Sequence, residues 1–314
     1  MIQEFYEELQ SKVLLKLVGL LKNSGDEVVY VGHTLRMIKD GYSWSGGDKL
    51  ITALLEETGL QRAKCMTTPA VRPTAQQDVE AEQLQSEEAT RYRSCLGKLM
   101  YLANDHPDVE YAVNCLARRA SKPTHLDEQR LKRVVRYLRG HPTALWEFVA
   151  TMSDPPPTLI VYTDADWGGD ILTRRSTSGG IMTWGDATVG AWSKLQPVVL
   201  LSTAEAEYYS IVAGVQRTLA IQALLKEAGV PTKLVVRSDS LAAKQSVEKV
   251  GLLHVKHKSM RMMFLKDLQR AGCIEIEKIL GTESPADMFT KPLNATEFNR
   301  CRARLPGIVG RRTT

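Results

Sequence analysis

The sequence comprises 314 residues, of which 43% are hydrophobic and 25% charged, with a formal net charge of +5. A chain of this length and composition can bury the cores of two compact units, which argues against disorder throughout. Its five cysteines are scattered, odd in number and without CxxC spacing. This usage argues against a disulfide framework and a zinc ribbon and favours a reducing compartment.

The first 66 residues carry no targeting or membrane signal. The apolar run 13–21 is interrupted by Lys16 and is shorter than the ~20 residues that a membrane span needs. The first eight residues lack the basic region of a secretory signal. We therefore expect an intracellular protein, of the cytoplasm or nucleus, that does not bind membranes.

The same N-terminal part predicts a small α/β unit. A strand-like run covers residues 27–32, and a helical pattern covers 49–59 and stops at Gly59. Residues 67–88 then lose apolar periodicity and gain Pro, Gln and Glu. This composition is typical of a linker.

Residues 89–150 predict a basic helical segment. Apolar residues recur at helical spacing and are interrupted at Pro107, Pro123 and Pro142. Within 91–140, eleven Lys and Arg stand against five Asp and Glu. Such an excess suits phosphate contacts, although a charge run can also be a solvated helix face. The candidate nucleic-acid contacts here are Arg118, Arg119, Lys122, Lys132, Arg133, Arg136 and Arg139.

Residues 155–300 predict a mixed sheet with flanking helices, followed by a tail at 301–314. Strand-like runs at 159–163, 180–184, 188–192 and 198–201 indicate an antiparallel meander. Alternating helices and strands follow, with helices at 203–228, 240–249 and 253–271 and strands at 234–237 and 273–279. Strands separated by helices can pair in parallel, so the fold class is α/β with α+β character. The glycine pairs 168–169 and 179–180 are interpreted as turn and bulge glycines.

Two acidic residues in this region follow or face predicted core. Asp164 ends the strand-like run that begins at Leu159, and Asp166 is its neighbour in the following turn. Both could be ordinary turn residues, which Asp favours. Glu207 lies on the helix face shared with Ile211 and Gly214, where a carboxylate is unusual unless it is paired or metal-bound. A solvated first turn is the alternative.

Two further acids stand at the starts of helices. Asp239 follows the apolar strand 234–237, at the end where open α/β sheets gather ligands, but it could also cap the next helix. Asp287 follows Ser284 and Pro285 and could belong to a capping box. Phosphodiester cleavage by two metal ions about 4 Å apart needs hard oxygen ligands such as these.

Five motifs occur in the order of one known family. They are YTDADWGGD (162–170), TRRSTSGG (173–180), LSTAEAEYYS (201–210), RSDSLAAK (237–244) and SPADMFTKPL (284–293). This series resembles the ribonuclease H domain of copia-type retrotransposon Pol polyproteins. Residues 92–124 and 131–140 are similar to the connection that precedes that domain, and residues 1–66 resemble the end of the reverse transcriptase.

The resemblance implies a ribonuclease H-like five-stranded mixed sheet and a metal-dependent endonuclease that hydrolyses the RNA strand of RNA–DNA hybrids. Its four metal ligands and catalytic acids would be Asp164, Glu207, Asp239 and Asp287, which would bind two Mg²⁺ ions, with Mn²⁺ as the alternative. Lys256 and His257 would contact nucleic acid. The partners would be the hybrid or another nucleic acid, and the rest of a Pol polyprotein or a larger complex.

Two departures from the family pattern support a rival hypothesis. No Tyr-x-Asp-Asp motif is present, so no polymerase activity is expected. The usual Lys-His-Ile-Asp/Glu-Ile-Arg-Tyr-His is replaced, with Ser259 in place of the acid and Met262 and Met263 in place of Tyr-His. The rival is a catalytically silent, domesticated nucleic-acid-binding or structural subunit of a larger assembly.

Overall fold

The computed structural model describes residues 2–72, 74–149, 157–241 and 259–311. Its strands are β1 Glu27–Tyr30, β2 His33–Ile38, β3 Gly41–Gly46, β4 Thr143–Val149, β5 Leu159–Ala165, β6 Thr177–Trp184, β7 Ala187–Leu195, β8 Leu234–Ser238, β9 Ile274–Lys278 and β10 Ile308–Arg311. Its helices are α1 Ile2–Lys12, α2 Asp48–Thr58, α3 Ala75–Glu80, α4 Ser86–Leu102, α5 Glu110–Ala117, α6 His125–Gly140, α7 Thr203–Glu227, α8 Ser259–Arg270 and α9 Ala295–Arg302.

The first sheet is antiparallel and joins distant parts of the chain. Its order is β1-β2-β3-β4-β10, so the last strand pairs with a strand more than 150 residues earlier. Trp44 of β3 lies opposite Trp146 of β4. A strand at β4 corrects the expectation that 89–150 is helical throughout, and β10 corrects the expectation of a tail at 301–314. In β4, Ala144 and Trp146 alternate as buried residues, which is a strand pattern.

The helices α2, α4, α5 and α6 share one core that also includes Phe289, Ile181 of β6 and Phe298 of α9. Leu54, Leu99, Leu102, Leu131 and Leu138 are fully or almost fully buried in it. The helix α2 ends at Gly59, as predicted, in a left-handed conformation. The predicted linker 67–88 differs from expectation, because it contains α3 and the start of α4 and buries Leu84.

The second sheet confirms the predicted five-stranded mixed architecture. Its order is β7-β6-β5-β8-β9, with β7, β6 and β5 antiparallel and β5, β8 and β9 parallel. The run 198–201 is not a strand, and Val198, Val199 and Leu201 are exposed there. Because β5 and β8 are parallel, the residues that follow them meet at the same end of the sheet.

The helix α7 packs on the second sheet through the predicted face. Ile211 and Val215 are fully buried. Ser202 caps the helix by accepting a 3.2 Å hydrogen bond from the backbone N–H of Glu205. The predicted helix 240–249 and the start of the one at 253–271 fall largely outside the described residues, as do Lys256 and His257.

Candidate metal centre

Three of the four predicted acids converge at the end of the second sheet. Each of Asp164, Glu207 and Asp239 offers a carboxylate oxygen that lies within 4.8 Å of those of the other two. They come from β5, from α7 and from the residue after β8. Among the described residues, they form the one group of three or more acidic, histidine or cysteine side chains with metal-ligand spacing.

Asp164, and not its neighbour Asp166, lies in this cluster. Asp164 is only 3% exposed, and its carboxylate accepts a hydrogen bond from the hydroxyl of Thr290. The carboxylate of Asp166 instead accepts from the backbone N–H of Thr177. That carboxylate fills the space where a β-carbon at position 169 would lie, so glycine fits there. Burial raises the pKa of Asp166 to about 6, despite this hydrogen bond.

Glu207 provides the buried oxygen that lacks a protein partner. Its Oε1 accepts a 3.3 Å hydrogen bond from the backbone N–H of Ala165. Its Oε2 is buried and has no hydrogen-bond partner within the described part of the chain. Burial first, and then the nearby charges of Asp164 and Asp239, raise the pKa of Glu207 to about 9. Such a group is costly as a bare anion and is stabilised as an anion by a cation.

Asp239 is the most accessible member of the cluster. It is partly exposed, whereas Asp164 and Glu207 are buried. A β-carbon at Gly281 would lie 3.1 Å from its Oδ2, so the turn 281–283 approaches this carboxylate closely. Glu283 in that turn is exposed. Asp239 is therefore the acid of this cluster that solvent reaches most easily.

Asp287 lies next to the cluster and is linked to it by Lys291. The amine of Lys291 lies 2.9 Å from Oδ1 of Asp287 and 3.6 Å from Oδ2 of Asp164. Burial and the charge of Asp164 raise the pKa of Asp287. Burial disfavours the charged amine of Lys291, but Asp164 and Asp287 outweigh it and raise its pKa. Lys291 therefore neutralises two of the four acids.

A glycine in β6 allows the segment that carries Asp287 to pack closely against the second sheet. The short 3-10 helix Ala286–Phe289 carries Asp287 and packs on the sheet at Gly179, where a β-carbon would lie 2.6 Å from the carbonyl oxygen of Phe289. Gly179 and Gly180 are therefore positions of close packing inside a strand, and the expectation of turn or bulge glycines is wrong for them. The register irregularity in β6 lies farther along, between Met182 and Thr183.

The donor set fits a hard divalent cation. It consists of carboxylate oxygens, which Mg²⁺ and Mn²⁺ prefer over sulfur and imidazole ligands. Glu207 belongs to this set, and its Oε2 is buried without a hydrogen-bond partner among the described residues. Asp164, Glu207 and Asp239 could hold one ion. Asp287 could contribute to a second ion only if the amine of Lys291 moved away from it.

Thr290 and Lys291 are site residues that were not singled out from the sequence. Thr290 is fully buried, and its hydroxyl contacts both the carboxylate of Asp164 and, at 3.1 Å, the carbonyl of Asp287. Both residues stand inside the motif SPADMFTKPL. The signal that could have found them is a threonine and a lysine placed three and four residues after a candidate ligand.

Most of the predicted nucleic-acid contacts on α6 and in the segment between α5 and α6 already have partners within the chain. Arg133, Arg136 and Arg139 donate through Nε to the backbone carbonyls of Thr68, Lys64 and Gln61, at 3.1, 2.7 and 2.7 Å. These bonds fasten the segment 61–68 to α6. The three arginines of α6 therefore contribute to the fold by holding this segment against the helix.

The remaining basic candidates differ in whether an acidic side chain lies within ion-pair distance. Arg118 lies 3.4 Å from the carboxylate of Asp170, Arg119 lies 3.9 Å from that of Asp78, and Lys132 pairs with Glu128 at 2.8 Å. Lys122 is exposed.

None of the described helices combines the length and the apolar character that a membrane crossing requires.

Curated proteins share sequence with most of this chain. The retrovirus-related Pol polyprotein from transposon TNT 1-94 of Nicotiana tabacum is 30% identical over 272 residues, which is 82% of this chain and 20% of that protein. The corresponding polyprotein from transposon RE1 of Arabidopsis thaliana is 31% identical over 260 residues, which is 82% of this chain and 17% of that protein. The chain thus spans about a fifth of the length of the curated relatives it matches. No protein-family model matches it.

Solved structures also include similar chains. A ribonuclease H1 named LC11, isolated from compost by a metagenomic approach, aligns with 43% of this chain and 93% of its own, at 16% sequence identity and a TM-score of 0.35.

Proposed function

The chain belongs to the retrovirus-related Pol polyproteins of transposons, and from this membership we propose that it is a metal-dependent endonuclease that hydrolyses the RNA strand of RNA–DNA hybrids. The second sheet with α7 would be its ribonuclease H domain, at about residues 155–300. Residues 1–66 and 89–150 would derive from the end of the reverse transcriptase and from the connection.

The convergence of acids at one end of the second sheet carries this proposal. Asp164, Glu207 and Asp239 lie far apart in the sequence, yet their carboxylate oxygens lie within 4.8 Å of one another. Two of the three are buried, although burial of uncompensated carboxylates destabilises a fold. A bound divalent cation would offset that cost and would give the arrangement a function.

The proposed roles follow from where each side chain lies. When bound, a pair of Mg²⁺ ions, or Mn²⁺ as the alternative, would supply an activated water and charge stabilisation at the cleaved phosphate. Asp164 and Asp239 would hold the ions, Glu207 would bind one of them and face the ribose 2′-hydroxyl, and Asp287 would complete the second position. Thr290 orients the carboxylate of Asp164.

Recognition of the substrate would depend on the shape of the hybrid and on its 2′-hydroxyl groups, without sequence specificity. Of the basic residues proposed as phosphate contacts, Lys122 has no partner among the described residues. Arg118, Arg133 and Arg139 already donate N–H groups to Asp170, Thr68 and Gln61, so the proposed phosphate contact is strongest for Lys122. The rest of a Pol polyprotein, or a larger complex, is the proposed protein partner.

Cleavage of a labelled RNA–DNA hybrid in Mg²⁺ tests the proposal directly. We expect the wild-type chain to release shorter RNA products, Asp164→Asn to release none, and EDTA to abolish the activity. Asp186→Asn is the matched control, because Asp186 is exposed in the turn between β6 and β7. Binding of the hybrid without cleavage by the wild-type chain would instead favour the catalytically silent alternative.

A further inference from the structure

The loop that follows Asp164 is ordered by its own polar contacts. We call residues 166–175 the Trp167 loop. The backbone N–H of Arg174 donates to the carbonyl of Asp170 at 2.8 Å, and that of Asp170 donates to the carbonyl of Arg175 at 3.1 Å. The carboxylate of Asp170 accepts from the N–H and the hydroxyl of Thr173, both at 2.9 Å. These contacts order residues 170–175 in the loop that leaves the end of β5, where Asp164 lies.

Trp167 is an exposed aromatic ring at this position. Its side chain is 57% exposed, although a tryptophan in a folded domain is on average largely buried. The indole N–H donates a 3.1 Å hydrogen bond to the carbonyl of Leu200, which fixes the ring against the loop before α7. Fixing a ring in this way lowers the entropy that it loses when a ligand stacks on it.

Two arginines of the same loop lack acidic partners. Arg174 is exposed and Arg175 is partly exposed, and no ion pair joins either to an acid of residues 2–72, 74–149, 157–241 or 259–311. Arg174 has a φ of 56°, a left-handed conformation that is uncommon outside glycine. A β-carbon at Gly168, next to the tryptophan, would lie 3.7 Å from its guanidinium. The guanidinium of Arg174 therefore lies close to the backbone of the residue that follows Trp167.

These arginines differ from those on α6. The guanidinium groups of Arg133, Arg136 and Arg139 donate to backbone carbonyls of their own chain. For those of Arg174 and Arg175, no such bond is found among the described residues. An exposed aromatic ring beside unpaired arginines is the combination that binds unpaired nucleotides, in which the ring stacks on a base and the arginines contact phosphates.

We propose that the Trp167 loop is a binding site for single-stranded nucleic acid, with Trp167 stacked on an unpaired base and Arg174 and Arg175 on the flanking phosphates. Inside a duplex both faces of each base are covered by neighbouring bases, so a ring can stack only on a base at a duplex end or in a single strand. The site extends the proposed function, because it lies beside the acid cluster and would hold a strand that leaves the hybrid.

Binding without catalysis tests this site. The probe is a fluorescein-labelled single-stranded DNA of about 12 nucleotides, titrated with the full chain in EDTA and followed by anisotropy. We expect Trp167→Ala to weaken binding by about 5- to 100-fold, while Trp167→Phe retains most of it. We expect Arg174→Ala with Arg175→Ala to lower the slope of log affinity against log salt by about 1.4.

The controls separate stacking from other effects. Leu224→Ala removes a 66% exposed apolar side chain on α7, and Arg91→Ala with Arg93→Ala removes two exposed arginines on α4. These three control substitutions should leave binding unchanged within about twofold. Equal losses in Trp167→Ala and Trp167→Phe would assign the effect to the bond with Leu200 and would overturn the proposal, as would wild-type binding by Trp167→Ala. Since EDTA removes metal, a failure of cleavage leaves this result intact.

Discussion

Gly214 of α7 lies directly against Thr163 of β5, so closely that a β-carbon on the glycine would be 2.6 Å from Cγ2 of the threonine. Thr163 precedes Asp164, and Gly214 lies two turns after Glu207 on the same helix face. The distance between helix and strand at this contact therefore sets how closely the carboxylates of Asp164 and Glu207 approach.

Substitution of Gly214 should separate these two acids. We expect Gly214→Ala to lower the free energy of unfolding by about 1–3 kcal/mol, because the added methyl group overpacks the contact with Thr163. Mg²⁺-dependent cleavage should fall with it. Gly97→Ala is the matched control, since Gly97 is in α4 with open space around it, and it should stabilise the chain by about 0.5–1 kcal/mol. Urea unfolding and hybrid cleavage measure both effects, and a neutral Gly214→Ala would contradict the tight contact.

Glu207 should make the metal-free protein less stable as pH rises. The buried carboxyl group keeps its proton up to a pH of about 9, whereas an unfolded glutamate loses it near pH 4.5. Folding therefore takes up a proton between these values, and the free energy of unfolding falls as pH rises through that window. Glu207→Gln cannot ionise, so we expect it to exceed wild type by about 1–3 kcal/mol at pH 8 and by much less at pH 5.

Thermal unfolding in EDTA at these two pH values measures the effect of Glu207→Gln. Addition of Mg²⁺ should raise the melting temperature of the wild type and leave that of the variant nearly unchanged. A difference between variant and wild type that stays constant from pH 5 to pH 8 would show that the buried carboxyl group does not titrate in this range.

Removal of Lys291 should have opposite effects without and with metal. In EDTA, Lys291→Met leaves Asp164 and Asp287 without their shared cation, so we expect a loss of about 1–2 kcal/mol after allowance for its partial exposure. In Mg²⁺, the amine no longer competes for the same carboxylates, so the apparent dissociation constant for Mg²⁺ should fall. Lys278→Met, at the exposed end of β9, is the control. Weaker Mg²⁺ binding by Lys291→Met would contradict competition.

Arg139 should contribute more to stability than to nucleic-acid binding. Its Nε donates to the carbonyl of Gln61 at 2.7 Å, and its Nη1 donates to Sγ of Cys65 at 3.1 Å. We expect Arg139→Ala to lower the free energy of unfolding by about 1 kcal/mol and to leave the salt dependence of hybrid affinity nearly unchanged. Lys122→Ala should leave the free energy of unfolding nearly unchanged and reduce the salt dependence of hybrid affinity. A reduced salt slope in Arg139→Ala would show that its remaining N–H groups contact phosphate.

The second sheet could be predicted because its strands are apolar runs of ordinary length and α7 has a clear capping residue. The first sheet could not be assembled, since β10 has four residues and pairs with β4 far away in the chain. The run 198–201 shows the converse error. It is apolar and β-branched, yet it lies exposed as a loop whose carbonyl at Leu200 accepts from Trp167.

The acid cluster could be predicted from strand ends and a helix face, because alternation and helical periodicity fix which way a side chain points. The contact of Thr290 with Asp164 could not, since it spans 126 residues and requires the close approach at Gly179. Periodicity also placed the arginines of α6 on one face. It could not show that they bond to the carbonyls of segment 61–68. Every residue has a backbone carbonyl, so the residue types do not indicate which carbonyl accepts a bond.

The pairing of β10 with β4 has a practical consequence for anyone who wishes to excise the ribonuclease H-like unit. If the chain is divided near residue 155, the N-terminal piece contains β4 but lacks β10, which pairs with it. The edge of β4 at Thr143–Val149 then has unpaired backbone groups, and such an edge promotes aggregation. Expression of the two sheets as separate pieces should therefore yield poorly soluble material unless residues 308–311 are supplied to the first piece, for instance as a fused or added peptide.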